Sequence, residues 1–418
     1  MTRPLKPDQI LTPLGIGLTL SLLGDSTLYT VLPSPDIASQ VGLSLGMVGF
    51  LLGINRLVRL LFNSIAGWIY DRLPRRPLML ISLATATLST TFYAFGSGPF
   101  VLTIGRILWG ISWAGMWIGA NSIALDISND LNRGSINGKL QMWYFIGIAI
   151  SSFCGGLFTD LFAFRGGMWV SAFFAACGWL IWLRFLPETR YLKERTFDPS
   201  LKEESKQKTN FPWKLTIACG IPFFIIRVVF IGILGATTIL WLSQFMADGS
   251  LLLGDTILPL ATLSGTFIAV RLVISVLSAP PVGWVSDKLN RRWAVLVVLF
   301  LLFGSGGFII LASQNIWVSI LGVITSAIAG GSIPGIITAI IGDQIPQDHQ
   351  SRVLGFVFSF GDLGSAIGPA LALSLMGVIS LPALFLGCAL LLALTGGLLL
   401  IPALFEHRKT ILNEKRLA

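Results

Sequence analysis

The chain has 418 residues, of which 54% are hydrophobic and only 12% are charged. A soluble domain carries about 25% charged residues, and disordered chains are poor in apolar residues, so the composition excludes both classes. The formal net charge of +9 would suggest nucleic-acid binding in a soluble protein. In a membrane protein it instead reflects loops rich in Lys and Arg on one side of the bilayer. The positions of the charges decide between the two interpretations.

Twelve apolar stretches are long enough to cross a hydrocarbon core, which takes about 20 helical residues. In chain order the predicted spans 1 to 12 cover residues 11–33, 44–69, 77–96, 99–122, 138–160, 166–187, 214–244, 257–284, 293–312, 315–340, 352–378 and 381–404. No segment has the alternating polarity of a transmembrane barrel strand. The first span is too long for a signal peptide, and we interpret it as a retained helix.

The basic residues are sorted by membrane side. If the N-terminus is cytoplasmic, 23 of the 29 Lys and Arg residues fall in segments on the cytoplasmic face. Five lie inside spans, and only Arg165 falls in a loop on the other face. This asymmetry predicts that both termini are cytoplasmic. It also argues against a nucleic-acid partner, because the charge is spread over several segments along one membrane face.

No pattern typical of an enzyme is present. The four cysteines all lie in predicted spans, and we interpret them as small buried apolar side chains. The two histidines, His349 and His407, fall at the cytoplasmic face and form no metal-ligand spacing with the cysteines. The sequence therefore predicts a protein that is not an enzyme and binds no cofactor and no metal.

The chain repeats itself at a nearly constant offset. Residues 67–76, after span 2, read GWIYDRLPRR, and residues 283–292, after span 8, read GWVSDKLNRR, an offset of 216. Asp126 and Asp343 correspond at an offset of 217. Both copies begin on the same membrane side, so the halves are parallel repeats. We predict an all-α membrane protein with two six-helix bundles, 1–187 and 214–418, joined by a cytoplasmic linker, 188–213.

These motifs resemble the major facilitator superfamily over essentially the whole chain. The run at 67–76 is similar to the signature that follows the family's second helix, although Pro74 stands where Gly is usual. Arg106-x-x-x-Gly110 in span 4 is similar to the signature arginine of the proton-coupled antiporters. Residues 147–156 in span 5 resemble the antiporter motif, with Ser-Ser in place of Gly-Pro. The resemblance implies the major facilitator fold and favours the drug:proton antiporter branch, with spans 1, 4, 7 and 10 around the transport path.

Charged residues inside spans are candidates for function. Each costs roughly 2.5–3.5 kcal/mol at the bilayer centre and normally faces water or a partner. They are Asp25, Arg56, Arg59, Arg106, Arg227, Arg271 and Asp362. At about 1.5 Å per residue, Asp25 and Arg106 lie at similar depth, so we predict that they pair. Protonation of Asp25 would then couple conformation to a proton, with Asp362 as a further candidate. The alternative is a permanent ion pair that only holds helices together.

The five arginines inside spans outnumber the two aspartates. An unpaired buried cation favours an anion, which suggests an anionic or carboxylate-bearing substrate. Alternatively, Arg56, Arg59 and Arg271 bond to backbone carbonyls or to neutral polar side chains.

Aromatic residues accompany the charges along span 4. At 100° per residue, Trp113, Trp117 and Asn121 share a narrow stripe with Arg106. Indole rings on a cavity wall would stack on flat organic molecules, whereas Trp also occurs at lipid interfaces. A similar stripe on span 7 contains Trp241. The candidates for the substrate cavity are Tyr29, Trp113, Trp117, Asn121, Arg227, Trp241 and Arg271.

By the same resemblance, the loop after span 2 is implied to be a conformational latch. Asp71 would cap the N-terminus of a neighbouring helix through a favourable charge–dipole contact. Gly67 would allow helices to approach closely, and the arginines would also anchor the topology. The latch candidates are Gly67, Asp71, Arg72, Arg75, Arg76, Gly283 and Asp287.

Together these features predict a secondary active transporter that moves a small organic solute by alternating access, with proton-coupled efflux as the favoured mode. The alternatives are an organic-anion uniporter or exchanger, an uptake symporter, or a sensor without flux. The expected partners are a small-molecule substrate, protons and the lipid bilayer, with no nucleic acid. We expect a monomer in the plasma (inner) membrane.

Overall fold

The computed structural model describes residues 7–128, 133–190, 211–246, 250–253, 256–345, 347–404 and 406. Most of the predicted linker lies outside these residues. In the described part of the chain, eleven helices are long and apolar enough to cross a membrane. One of them, Gly138–Phe185, has 48 residues, and non-helical backbone at Ala163 (φ 56°, ψ 170°) divides it. Its two parts correspond to predicted spans 5 and 6, and the predicted fold class is confirmed.

The first half contains six helices in the described part of the chain, which include spans 1 to 6. They are Pro7–Val31 (span 1), Pro35–Gln40, Leu45–Arg72 (span 2), Arg75–Phe95 (span 3), Gly98–Asp126 (span 4) and Arg133–Phe185 (spans 5 and 6). Span 2 starts where the Ser44 side chain accepts a hydrogen bond from the Met47 N–H at 3.3 Å. Gly42, with φ of 74°, reverses the chain just before it. This φ lies in the left-handed region that glycine adopts at no steric cost.

The helices of the second half include two π-helical segments. Span 7 consists of Trp213–Ile226, the π-helix Arg227–Ile233 and Leu234–Ser243. Span 9 consists of Arg292–Val298, the π-helix Leu299–Ser305 and Gly306–Leu311. The remaining helices are Leu260–Leu289 (span 8), Ile316–Gln344 (span 10), Gln347–Leu375 (span 11) and Leu381–Leu398 (span 12). Between spans 7 and 8, strands Ser250–Leu253 and Thr256–Pro259 pair antiparallel, with Leu251 opposite Leu258. The sequence analysis had predicted no strands.

The chain forms two compact units. The first contains Met1–Asn210 with Thr238–Ala269, and the second contains Phe211–Thr237 with Val270–Ala418. In the first unit, span 1 packs along the long helix of spans 5 and 6. There the Trp182 indole N–H donates to the Pro13 carbonyl at 3.0 Å. This bond links span 6 to span 1.

The second unit is built around spans 7 and 11. Span 11 packs along Trp213–Ile226 and along the π-helix Arg227–Ile233 of span 7. A Cβ on Gly232 would lie 2.5 Å from the Gly368 Cα, so the two backbones approach as closely as glycine allows. The domain boundaries predicted at 187/188 and 213/214 stay a prediction.

Candidate proton-coupling and substrate site

A buried ion pair joins span 1 to span 4. The Arg106 guanidinium donates from Nη1 to the Asp25 carboxylate, and the two side chains are 1% and 14% exposed. Arg106 Nε also donates to the Leu51 carbonyl of span 2 at 2.8 Å, and Nη2 donates to the Leu52 carbonyl at 3.4 Å. The cation is thus held by one charged acceptor and two neutral ones. A buried charge is tolerated only when it is paired and hydrogen-bonded in this way.

Glycine in span 4 lets the arginine reach span 2. A Cβ on Gly110 would lie 2.8 Å from the Asn55 carbonyl, so glycine permits the close approach of the two helices. Arg106 lies one turn away from Gly110 and meets the carbonyl one turn away from Asn55. The Arg106-x-x-x-Gly110 motif therefore has a local physical reason. The Asn55 Oδ1 is itself buried and has no hydrogen-bond partner among the described residues.

Two tyrosines complete the surroundings of the pair. Tyr29 donates from its hydroxyl to the Leu52 carbonyl at 2.6 Å, and its ring centroid lies 5.6 Å from the Arg106 guanidinium carbon. In span 3, Ser89 donates to the Gly105 carbonyl at 2.7 Å and contacts the buried Tyr93 hydroxyl at 3.0 Å. Tyr29 is only partly buried, and its role as a cavity residue stays a prediction. Neither Ser89 nor Tyr93 stands out in the sequence.

The tryptophans of span 4 form a stack. The ring centroids of Trp109 and Trp113 lie 5.8 Å apart, with an interplanar angle of 23°. Those of Trp113 and Trp117 also lie 5.8 Å apart, with an interplanar angle of 11°. Tyr144 of span 5 packs 4.9 Å from Trp117. Trp113 is only 4% exposed and belongs to the core of the first unit. Because Trp113 is almost fully buried beside two other indoles, little of its ring is left to stack on a substrate in this conformation. Trp117 is only partly buried.

The remaining cavity candidates differ in their environments. Asn121 donates from its amide to the Trp117 carbonyl at 2.7 Å. Trp241 is 3% exposed, lies 5.4 Å from Phe267 with its ring edge-on, and has an indole N–H without a described partner. Trp241 belongs to the first unit, whereas Arg227 belongs to the second. The structure therefore does not bring these two span 7 candidates into one unit.

Arg227 and Asp362 lie on the packed spans 7 and 11. Arg227 is the first residue of the π-helical segment, and its guanidinium carbon lies 5.2 Å from the centroid of the Phe223 ring. A Cβ on Gly361, the residue before Asp362, would lie 3.1 Å from Arg227 Cγ. Both Arg227 and Asp362 have interaction partners. π-Helical segments are frequent at functional sites, and periodicity alone did not indicate this one.

Arg271 in span 8 differs from the other arginines inside spans. Its side chain is partly buried, and its Nη1 is buried without a hydrogen-bond partner among the described residues. Among the described residues, no backbone carbonyl or neutral side chain therefore accepts a hydrogen bond from Nη1, as the alternative interpretation of Arg271 had expected.

The repeated loops form matching charge clusters. Arg75 Nε binds the Asp126 carboxylate at 3.0 Å, and Arg292 Nε binds the Asp343 carboxylate. Both pairs are related by an offset of 217, one residue more than the 216 that aligns the two loop motifs, so Arg292 aligns with Arg76 but makes the contact that Arg75 makes in the first repeat. Asp126 and Asp343 had served only as markers of the repeat.

A glutamate caps the helix that follows each loop. Glu188 accepts hydrogen bonds from the backbone N–H groups of Arg75 and Arg76 at 3.0 Å. Glu406 accepts them from Arg292 and Trp293 at 3.1 Å. Both carboxylates lie at a helix N-terminus, where the macrodipole favours negative charge. The sequence analysis did not identify either cap, although the offset of 218 between them is close to that of the repeat.

The pKa values of the two capping carboxyl groups are shifted in opposite directions. Burial opposes ionisation of Glu188, but the backbone donors of Arg190, Arg76, Arg75 and Thr189 prevail and lower its pKa below the usual value. Burial prevails at Glu406 and raises its pKa, although the N–H groups of span 9 act against it. Equivalent positions in the two repeats therefore differ in their electrostatics.

The latch candidates are only partly organised as expected. A Cβ on Gly67 or Gly283 would meet no described atom within 4 Å. Within the described ranges, no neighbouring helix comes close enough to Gly67 to require a glycine there. Arg72 stacks on Trp68 with its guanidinium carbon 4.1 Å from the ring centroid. Asp71 is exposed, and Asp287 pairs with Arg292 at 2.7 Å. The capping role of Asp71 stays a prediction.

The antiporter-like motif of span 5 packs against the start of span 8 within the first unit. A Cβ on Gly156 would collide with the Ala261 carbonyl, and a Cβ on Gly265 would collide with the Ser152 carbonyl. Beyond the motif, the Asp160 carboxylate accepts hydrogen bonds from the Thr262 N–H at 2.6 Å and from its hydroxyl at 2.5 Å. The small residues of the motif thus permit backbone contact, and Asp160 caps span 8.

Comparison with known proteins gives the family. A model described as Major Facilitator Superfamily matches residues 14–269 and 240–416. The chain belongs to the Major Facilitator Superfamily. It is 25% identical over 366 residues to the class B tetracycline resistance protein of Escherichia coli, covering 87% of this chain and 85% of the relative. It is 24% identical over 383 residues to the multi-drug resistance efflux pump PmrA of Streptococcus pneumoniae, covering 89% and 91%.

Solved structures agree on the fold of this superfamily member. A bacterial homologue of the human lysosomal transporter Spinster superposes with a TM-score of 0.70 at 17% identity, covering 97% of each chain. Membership confirms that the protein is a transporter rather than an enzyme, and the relatives it resembles are named for drug resistance and multidrug efflux. It also supports an integral membrane protein with a small-molecule substrate.

Proposed function

We propose that this transporter exports a small organic molecule in exchange for protons. The buried Asp25–Arg106 ion pair is the observation that carries the proposal. A carboxylate inside a membrane span gains or loses a proton at a position where each charge state prefers different surroundings. Relatives named for tetracycline resistance and multidrug efflux support the direction of transport.

The contacts of Arg106 indicate which partner responds to the proton. Neutralising Asp25 removes the charged acceptor but leaves Arg106 bonded to the carbonyls of Leu51 and Leu52. Arg106 therefore stays on span 2, and span 1 is released from span 4. A substrate that binds more tightly to one arrangement of span 1 must by linkage change the proton affinity of Asp25 by the same factor. This reciprocity is what antiport requires.

The test uses inverted membrane vesicles with an imposed pH gradient and tetracycline as the first probe. We expect tetracycline to collapse the gradient with the wild-type protein and not with Asp25→Asn. Asp36→Asn, which removes a carboxylate from the exposed helix Pro35–Gln40, is the matched control and keeps the response. A full response in Asp25→Asn would overturn the coupling role and leave the ion pair as a structural link.

Tetracycline is only one candidate substrate. If it gives no response, the same assay is repeated with cationic dyes and with aromatic acids. Saturable exchange of an aromatic acid that ignores the pH gradient would support the second candidate, organic-anion exchange. The Nη1 of Arg271, which has no hydrogen-bond partner within the described ranges, favours this candidate.

The same proposal includes the placement of the protein. We infer a plasma-membrane protein with both termini cytoplasmic and with the loop at 67–76 acting as a latch during alternating access. The positive-inside distribution of Lys and Arg supports the orientation.

A further inference from the structure

Arg271 has a buried guanidinium nitrogen that no described residue bonds. Arg106 binds Asp25, and Arg56, Arg59 and Arg227 each have an interaction partner. Among the described residues, by contrast, no hydrogen-bond partner reaches the buried Nη1 of Arg271. At about 1.5 Å per residue, Arg271 lies about 16 Å from the beginning of span 8, well inside a hydrocarbon core about 30 Å thick.

The position of Arg271 on its helix separates it from the exposed apolar stripe. At 100° per residue, Arg271 lies about 40° from Ser275, which donates to the Ala327 carbonyl of span 10 at 2.9 Å. The stripe formed by Val270, Val273 and Leu277, which are 52%, 49% and 69% exposed, lies on the other side of span 8. Arg271 is therefore on the side of span 8 that packs against span 10.

Retaining a cation there is costly unless a counter-charge arrives. A guanidinium has five N–H donors in a planar fork that matches carboxylate geometry, and it stays protonated. A residue that only packed against span 10 would need no charge. A residue that recognises a ligand anion needs a positive charge that the protein itself does not neutralise.

We propose that Arg271 is an anion-binding subsite, so that the substrates of this transporter carry a carboxylate or a comparable anionic oxygen group on an organic body. This inference rests on the proposed transport function but specifies the substrate class rather than the direction or the coupling ion. An anionic group would replace the missing partner with a charge-assisted hydrogen bond, which is about twice as strong as a neutral one.

The test measures binding to the purified full-length protein by quenching of tryptophan fluorescence. The probes are anthracene-9-carboxylate and its primary amide, which share a ring system but differ in charge. We expect the wild type to bind the carboxylate at least about 30-fold more tightly than the amide, because desolvated charge pairs are worth 2 kcal/mol or more. Arg271→Gln should reduce this ratio to about one, and Arg271→Lys should keep part of it.

Controls separate this inference from misfolding and from the transport proposal. Arg165→Gln removes an exposed arginine of the first unit and should leave the ratio unchanged. Circular dichroism and amide binding show whether Arg271→Gln still folds. An unchanged ratio in folded Arg271→Gln, or no carboxylate preference in the wild type, would overturn the subsite. A carboxylate preference without proton-coupled efflux would preserve the subsite and refute the proposed function.

Discussion

Arg106 illustrates how a single residue carries a charge inside a membrane. Its guanidinium distributes donors over Asp25 and the carbonyls of Leu51 and Leu52. Lysine has no such fork, because its ammonium group is a compact point charge. The sequence predicted the Asp25–Arg106 contact from depth alone. It did not predict the two carbonyl acceptors, because backbone groups used by a distant side chain leave no trace in residue identity.

Glu188 leads to a prediction of pH dependence. Its folded pKa is lowered, so its stabilising effect is present above the ordinary Glu pKa of about 4.3 and is lost as the pH falls through the folded value. Glu188→Gln should lower the apparent melting temperature at pH 7. The free energy of unfolding should fall by about 1 kcal/mol or less, because the group is partly exposed. The difference from wild type should shrink as the pH falls below the ordinary Glu value and through the lower folded pKa of Glu188.

Glu406 provides the internal control for that experiment. Its folded pKa is raised, so the stabilisation it contributes is present below the ordinary Glu pKa and is lost as the pH rises through the folded value. The difference in melting temperature between wild type and Glu406→Gln should therefore change with pH in the opposite sense to that of Glu188→Gln. Parallel pH profiles of the two variants would contradict the assignment.

At the scale of elements, glycines decide which helices touch. The motif in span 5 is recognisable in sequence, but the sequence does not state which helix it meets. In the structure Gly156 meets the backbone of Ala261, and Gly265 meets that of Ser152. This contact joins residues about a hundred positions apart, and helical periodicity carries no information on such a pairing. The π-helical segments of spans 7 and 9 were not predicted either, because helical periodicity does not indicate them.

A pair of glycine substitutions tests the contact between spans 5 and 8. Gly156→Ala should destabilise the protein by about 1–3 kcal/mol, because a methyl group would overlap a backbone carbonyl that cannot swing aside. Gly138→Ala on the same helix meets open space and should be neutral or stabilising by up to about 1 kcal/mol, since alanine has the better helix propensity. Thermal unfolding of the purified protein in detergent measures both. Equal melting temperatures would rule out the close packing.

At the scale of the whole molecule, charge sorting sets the predicted orientation. On a background with the four native cysteines, all free thiols, replaced by alanine, a membrane-impermeant maleimide should label Arg165→Cys in intact cells. Lys214→Cys should react only after permeabilisation. Both positions are exposed, so access depends on the membrane side. The reverse pattern would overturn the orientation and with it the cytoplasmic placement of the latch loop.

The amino-acid sequence by itself determined the class, the number of spans, the repeat and the family of this protein. Span count and repeat are readable because hydropathy and motif spacing are properties of the chain in one dimension. Arg106, Asp25 and Arg271 were identifiable because a charge inside a span is costly wherever it ends up.

Only the tertiary structure decided how these residues are used. It buried Trp113 between two indoles, brought Glu188 to the N-terminus of span 3, and paired Arg106 but left Nη1 of Arg271 without a described partner. It also placed the boundary between the two units inside span 7, between Thr237 and Thr238. Such outcomes depend on which helices pack together and on their rotation about their axes. Both are set by contacts between residues far apart in the chain, so no local pattern encodes them.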